Sequence, residues 1–281
     1  MKTSKLIYLT FSSALLLSLP VQAFELCGKL AQGEILTGKA EGYKSVVLNG
    51  TSHQISPAGD FIIAFGRDDG TKQKITLLDK EDNQTEIPLT LAATKWDIQN
   101  IKGIPQRKVT PSKEDEAAIL HERNSVRGSL TADLPLPFWQ EGFIEPVKGR
   151  ISGLFGGQRI MNGVKRNPHG GTDIAAPEGT PVKAAASGIV MLSAPDLFYS
   201  GNVVVIDHGH GLQTIYAHLK EYNVKKGDKV KQGDIIGKVG KTGRVTGPHL
   251  HWGASLRGTR FNPYSLLNIN KNDVCFTLEN E

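Results

Sequence analysis

The sequence predicts a mainly β protein, built from antiparallel sheets in two unequal units joined by an extended and helical linker. Three observations lead there. Short apolar runs rich in Val and Ile recur along the chain, 31 glycines and 14 prolines break them at turn spacing, and no long 3.6-residue apolar period interrupts them in the second half. At 281 residues with 39% apolar side chains, there is material for one or two cores. The formal charge is +5, from 33 basic and 28 acidic residues, too mild a surplus to predict a nucleic-acid partner.

Residues 1–23 read as a cleavable export signal. Lys2 and Lys5 precede an apolar run from Leu6 to Leu19, and Val21 and Ala23 supply the small-residue pattern before a cut after Ala23. The run is shorter than the roughly 20 residues a membrane span needs, so no transmembrane anchor is expected after cleavage. Losing Lys2 and Lys5 and no acid lowers the charge from +5 to +3. Cys27 and Cys275 are the two cysteines; an oxidising compartment would let them pair, and two buried free thiols are the alternative.

Residues 24–93 read as a small antiparallel β domain. Ser45–Leu48, Phe61–Phe65 and Lys74–Leu78 are strand-like and are separated by Asn49-Gly50 and by the turn at 66–70. No cluster of metal-ligating side chains stands out there. Residues 94–142 form the linker, with an extended basic stretch to Pro111 and a helix from Lys113 to about Asn124, capped by Ser112 with Asp115 as its partner. Residues 143–270 form the second unit, and 271–281 a tail. Its strands fall at 181–185, 188–192, 202–207 and 212–217, and the repeated Gly-Asp pairs between 224 and 237 mark a hairpin scaffold.

Six of the eight histidines lie between 169 and 251, inside that second unit. His169-Gly170-Gly171-Thr172-Asp173 offers an imidazole and a carboxylate four residues apart, with glycines that let a non-helical segment curl both toward one point. His249-Leu250-His251 lies on a strand, where a period of two sends both imidazoles to one face. Each piece alone is weak, since a lone His-x-His is structural about as often as not. Together they supply two imidazoles and a carboxylate, a donor set suited to catalytic zinc with one position left for water. His218, at the end of a strand, can join His249 in binding that water or the developing oxyanion. His208 and His210 share the spacing, but Gly209 and Gly211 mark a reversing turn, which favours a structural or supporting role. No GKS or GKT sequence follows any Gly-rich segment, so a nucleotide loop is not indicated.

From about Gly149 to Pro263 the sequence resembles the lysostaphin-type, or LytM-like, zinc endopeptidases that cut peptidoglycan peptides. The HxxxD segment, Ala217-His218-Leu219, the Gly-Asp hairpin and Gly247-Pro248-His249-Leu250-His251 occur in the family's order. The resemblance implies that His169, Asp173 and His251 ligate one Zn²⁺ per chain and that His249 and His218 are catalytic. Residues 155–163 resemble a loop on one wall of the family's groove, and the upstream half resembles the N-terminal extension of exported Gram-negative members. It further implies a periplasmic or extracellular location, peptidoglycan peptides as substrate, with D-alanyl–meso-diaminopimelyl crosslinks favoured, and shielding of the groove by the N-terminal region. Two other classes compete. One is a peptidoglycan-binding regulator that activates a cell-wall amidase; the filled ligand set argues against it. The other is a biotinyl-like or lipoyl-like carrier, for which the Gly-Asp hairpin lacks a convincing modifiable lysine.

Overall fold

A computed structural model describes residues 24–271 and 275–277; the expected export signal, residues 1–23, lies outside them. Two four-stranded antiparallel sheets form the first unit. One orders Cys275–Thr277, Phe24–Cys27, Ile35–Ala40 and Asp60–Ala64; the other orders Thr51–Gln54, Tyr43–Leu48, Lys72–Asp79 and Gln84–Thr90. Their apolar faces share one core that includes Leu26, Leu36, Phe61, Ile63, Val46, Ile75 and Leu77. Along Lys72–Asp79 the pattern has period two: Ile75 and Leu77 are buried while Lys74 is exposed, as a sheet with one wet face requires. The C-terminal residues return to this unit, pairing Cys275 with Cys27 across the strands and joining them by a disulfide.

The second unit is a ten-stranded sheet whose centre runs Gly188–Leu197, Gly201–Asp207, Leu212–Tyr222, His249–Leu256, Thr172–Ala175 and Arg150–Gly153, all antiparallel. Its middle strands read as continuous apolar runs because both faces are covered. Val204, Ile206 and Tyr216 face a core shared with Trp139, Phe143 and Trp252; Val203, Val205, Ile215 and Ala217 face the linker helix. That helix, Glu116–Ser129, follows a 3₁₀ turn at Lys113–Asp115, where the Asp115 carboxylate accepts from the Ser112 N–H at 3.1 Å. Fourteen residues are marginal as a free helix in water. Packing of Val126 and Leu130 on the sheet holds this one.

Elsewhere the linker is woven in. Ile98–Ile101 pairs in parallel with Gln158–Met161, the one exception to antiparallel order among the strands named here. The first unit docks on the second through Ile35, Ile62 and Ala64 in the shared core and through the Arg67 Nε–H, which donates to the Gly156 carbonyl at 2.6 Å. Among the described residues no helix is long and apolar enough to cross a membrane.

His208 is fully buried, with Nδ1 2.7 Å from the Ser187 carbonyl and Nε2 2.7 Å from the Thr214 hydroxyl. Burial pushes its imidazole down to about 4. Unfolded, the ring takes up a proton near pH 6.5; folded, it stays neutral until about pH 4, so its contribution is intact above 6.5 and lost as pH falls between those values. Chemical denaturation of metal-free protein should show about 2 kcal/mol less stability at pH 5 than at pH 7 from this residue. Equal stabilities at the two pH values would contradict the neutral buried ring.

Candidate metal centre and catalytic cleft

Three adjacent strands bring together residues far apart in sequence. His249–Leu256 lies between Thr172–Ala175 and Leu212–Tyr222, and the register sets His251 opposite Asp173 on one side and Ala217 on the other. Side-chain alternation turns His249 and His251 to one face and buries Leu250 on the other. His169 stands in the turn just before Thr172. His169 Nε2, Asp173 Oδ1 and His251 Nδ1 form a triangle with edges of 2.9, 2.8 and 3.1 Å. One other triple of ligand-type residues converges among those described, Glu25 with Cys27 and Cys275, but its sulfurs are spent in the disulfide.

The donor chemistry of the triangle fits a metal ion. His169 Nδ1 lies 2.9 Å from the Leu154 carbonyl, which can only accept, so Nδ1 carries the proton and Nε2 turns a lone pair toward the carboxylate. Two lone pairs at that range need a cation between them or a second proton on the ring. Burial opposes the proton, pushing the His169 imidazole below its ordinary value and that of His251 to about 4. Desolvation pushes the Asp173 carboxyl upward, yet the close approach of the His169 and His251 rings outweighs it and holds the group well below the usual carboxylate range. Two neutral imidazoles and one carboxylate at 2.8–3.1 Å spacing suit an ion bonded at about 2.0–2.2 Å to each.

His218 and His249 stand beside the triangle, their ring centroids 4.9 Å apart. Each Nδ1 lies 2.9 Å from a backbone carbonyl, Thr242 for His218 and Gly247 for His249, so each Nε2 is left with its lone pair free. His249 Nε2 is 3.7 Å from Asp173 Oδ1. His218 has φ +63°, in the left-handed region, where the pairing with Gly201–Asp207 slips and Ala217 and His218 together oppose Val203. A bulge of this kind re-aims a side chain that a regular strand would point elsewhere. Burial first, then the neighbouring His249 and His251, pushes the His218 imidazole well below its ordinary value.

The His218 ring and two members of the triangle open on a cleft of about 430 Å³ lined by Arg159, His169, Tyr199, His218, Arg244 and His251 among others. A groove of about 830 Å³ continues from it along the linker helix, sharing Asn167, Tyr199, Ser200 and Arg260. The larger groove holds none of the ligand set; the chemistry sits in the smaller space. Glu122 of the linker helix fastens the cleft wall. Its Oε2 accepts from the Tyr199 N–H at 2.6 Å, and its Oε1 from the Ser200 N–H at 3.0 Å and the Ser200 hydroxyl at 2.6 Å.

The structure thus brings His169, Asp173, His218, His249 and His251 together and leaves His208 and His210 outside. His208 lies against Phe143 in the core, and His210 beside Trp139, its N–H donating to the Leu134 carbonyl at 2.8 Å. Gly170 and Gly171 differ from the expectation that they serve curvature: neither is left-handed. They give clearance instead. A Cβ on Gly171 would stand 2.5 Å from the Trp252 carbonyl oxygen and 2.8 Å from the His251 ring, and one on Gly170 would stand 2.7 Å from the Arg260 guanidinium. Sequence reasoning missed Arg159, whose guanidinium donates to Asp173 Oδ2 at 2.6 Å, as well as Glu122, Tyr199, Arg244 and Arg260. For Arg159 the groove-wall segment 155–163 was a signal; for the others no local pattern points to the site.

Comparison with known proteins agrees with this geometry. Residues 167–263 match the family model for peptidase family M23. The chain is 48% identical over 116 residues to the peptidoglycan DD-endopeptidase ShyA of Vibrio cholerae serotype O1, which is 41% of this chain and 27% of that protein. It is 44% identical over 124 residues to the DD-carboxypeptidase/endopeptidase Mpg of Neisseria meningitidis serogroup B, 44% of this chain and 28% of that protein. The match therefore spans little more than a quarter of these curated relatives. A crystal structure assigned to peptidase M23 from Pseudomonas aeruginosa superposes with a TM-score of 0.67 at 27% identity, covering 86% of this chain and 97% of that one.

Elemental analysis of purified protein should find about one equivalent of metal, lost in His169→Ala, Asp173→Ala and His251→Ala and retained in His218→Ala and His249→Ala. Gly171→Ala should also lose it, by pushing the His251 ring out of the triangle. Full metal occupancy in Asp173→Ala and His251→Ala would dismiss the centre.

Proposed function

We propose, from the premise that residues 167–263 form a peptidase family M23 domain, that this chain is an exported zinc endopeptidase hydrolysing peptide bonds in peptidoglycan crosslinks. The observation that carries the reading is the triangle of His169, Asp173 and His251 beside the paired rings of His218 and His249, each anchored through Nδ1 on a backbone carbonyl, with His218 lining the cleft. Zn²⁺ held there supplies Lewis-acid polarisation of the scissile carbonyl and lowers the pKa of water. No glutamate follows His169 in the HExxH manner, so proton transfer falls to the histidines.

His249 is the nearer of the two to Asp173 and has its Nδ1 proton anchored on Gly247. With Nε2 free it takes the proton of the attacking water and passes it to the leaving amine. His218, on its bulge and anchored on Thr242, keeps a neutral ring whose Nε2 accepts a hydrogen bond from the attacking water and orients it for His249. Arg159 neutralises the outer oxygen of Asp173 and keeps the carboxylate turned inward. The favoured bond is D-alanyl–meso-diaminopimelyl, in keeping with the export signal at residues 1–23 and a periplasmic location. A regulator that only binds peptidoglycan would not need the complete donor set and both free imidazoles.

Shielding by the N-terminal region takes a specific form in this reading. The cleft itself is lined by residues 159–260, while the linker helix walls the groove that leads to it and fastens Tyr199 and Ser200 through Glu122. The linker limits how a bulky crosslinked substrate approaches.

Mass spectrometry of fragments released from purified Gram-negative cell walls by the zinc-loaded full chain should show crosslinked dimers converted to monomers. His249→Ala and His218→Ala should each lower the rate by about 10²–10⁴-fold. Intact dimers after prolonged incubation with zinc-replete protein would sink the endopeptidase reading.

A further inference from the structure

The cleft beside the metal centre is lined by three arginines, Arg159, Arg244 and Arg260, and by no acidic side chain. Arg159 is committed to Asp173. The Arg244 guanidinium stacks on the Tyr199 ring at 4.3 Å and reaches the Lys108 carbonyl at 3.5 Å, with no carboxylate in an ion pair with it among the described residues. The Arg260 guanidinium has neither a hydrogen bond nor an ion pair among the described residues; the residue is exposed and borders both the cleft and the groove. It stands on the short Thr259–Phe261 strand, opposite Ser255, and its guanidinium lies over Gly170, next to the ligand His169.

A Cβ on Gly170 would stand 2.7 Å from the guanidinium, which is the mobile end of an exposed side chain at the rim of the cleft. The guanidinium thus stands near His169 in a cleft lined by three arginines and no carboxylate, one of the three being paired with Asp173. A planar fork of this kind matches a carboxylate with two parallel charge-assisted hydrogen bonds.

We infer that Arg260, assisted by Arg244, is a specificity subsite for a free carboxylate on the carbon that bears the leaving amine. The inference rests on the endopeptidase reading and names its substrate class. In a D-alanyl–diaminopimelyl crosslink the scissile nitrogen sits on a carbon carrying such a carboxylate, and a terminal D-alanyl-D-alanine offers the same group. Inside a glycine bridge the corresponding carboxyl is tied up as an amide. The subsite selects the first two over the third.

The test uses the zinc-loaded full chain and three substrates: the crosslinked dimer, the same dimer with that carboxylate amidated, and a pentapeptide ending in D-alanyl-D-alanine. Wild type should prefer the free dimer over the amidated one by at least about tenfold in kcat/KM, and in Arg260→Gln that ratio should collapse toward one while about one equivalent of zinc remains. Arg260→Lys should be intermediate, keeping charge without the fork. If Arg260→Gln impairs the pentapeptide, chain ends are a source of the carboxylate; if it impairs the dimer, crosslinks are; impairment of neither overturns the subsite. A second readout is independent of turnover: calorimetric binding of an uncrosslinked stem tripeptide ending in diaminopimelate, with that carboxylate free or amidated. Tighter binding of the free form by wild type, abolished in Arg260→Gln, upholds the subsite even if no substrate is cut, in which case the endopeptidase reading alone fails. Equal binding of both forms by wild type, or an undiminished preference in Arg260→Gln, overturns it.

Discussion

One cross-strand register governs the site: Asp173 lies opposite His251, with Ile174 and Leu250 buried behind them. A slip of one residue would turn the carboxylate and both strand histidines into the core and the two aliphatic side chains outward. The buried pair makes that slip costly, so the same contacts that stabilise the sheet also fix the donors. Asp173 then does double duty. One oxygen meets His169 and His251, and the other meets Arg159, so a single side chain ties two imidazoles and a guanidinium together.

The imidazoles follow a common rule. His169, His218 and His249 each present Nδ1 to a backbone carbonyl, those of Leu154, Thr242 and Gly247, which fixes the tautomer and leaves Nε2 for chemistry. None of these carbonyls depends on side-chain identity, so the tautomers are set by the path of the loops. Loop geometry therefore matters here as much as residue choice, and the left-handed bulge at His218 is part of it.

Periodicity pointed to the strands, and the spacing of His169 with Asp173 and of His249 with His251 singled out side chains that the structure brings together, because these are local properties of the chain. The glycine-flanked turn correctly set His208 and His210 aside. What stayed hidden is non-local. Glu122 reaches the cleft wall only because its helix lies across the sheet, and Val203–Ile206 reads as a buried run without saying that the linker covers one side. Gly170 and Gly171 were visible, but their purpose was not, since clearance for Arg260 and His251 exists only once distant strands are paired. Arg260 carried no signal at all; an isolated arginine in a polar hairpin looks like any other.

The strand at Cys275–Thr277 completes a sheet that starts at Phe24, so the second unit is topologically an insertion into the first, closed by a covalent link across 248 residues. A nick anywhere between the two cysteines leaves the halves attached, and separating them takes reduction as well as proteolysis. A chain wired in this way can suffer a cut backbone and still remain one particle.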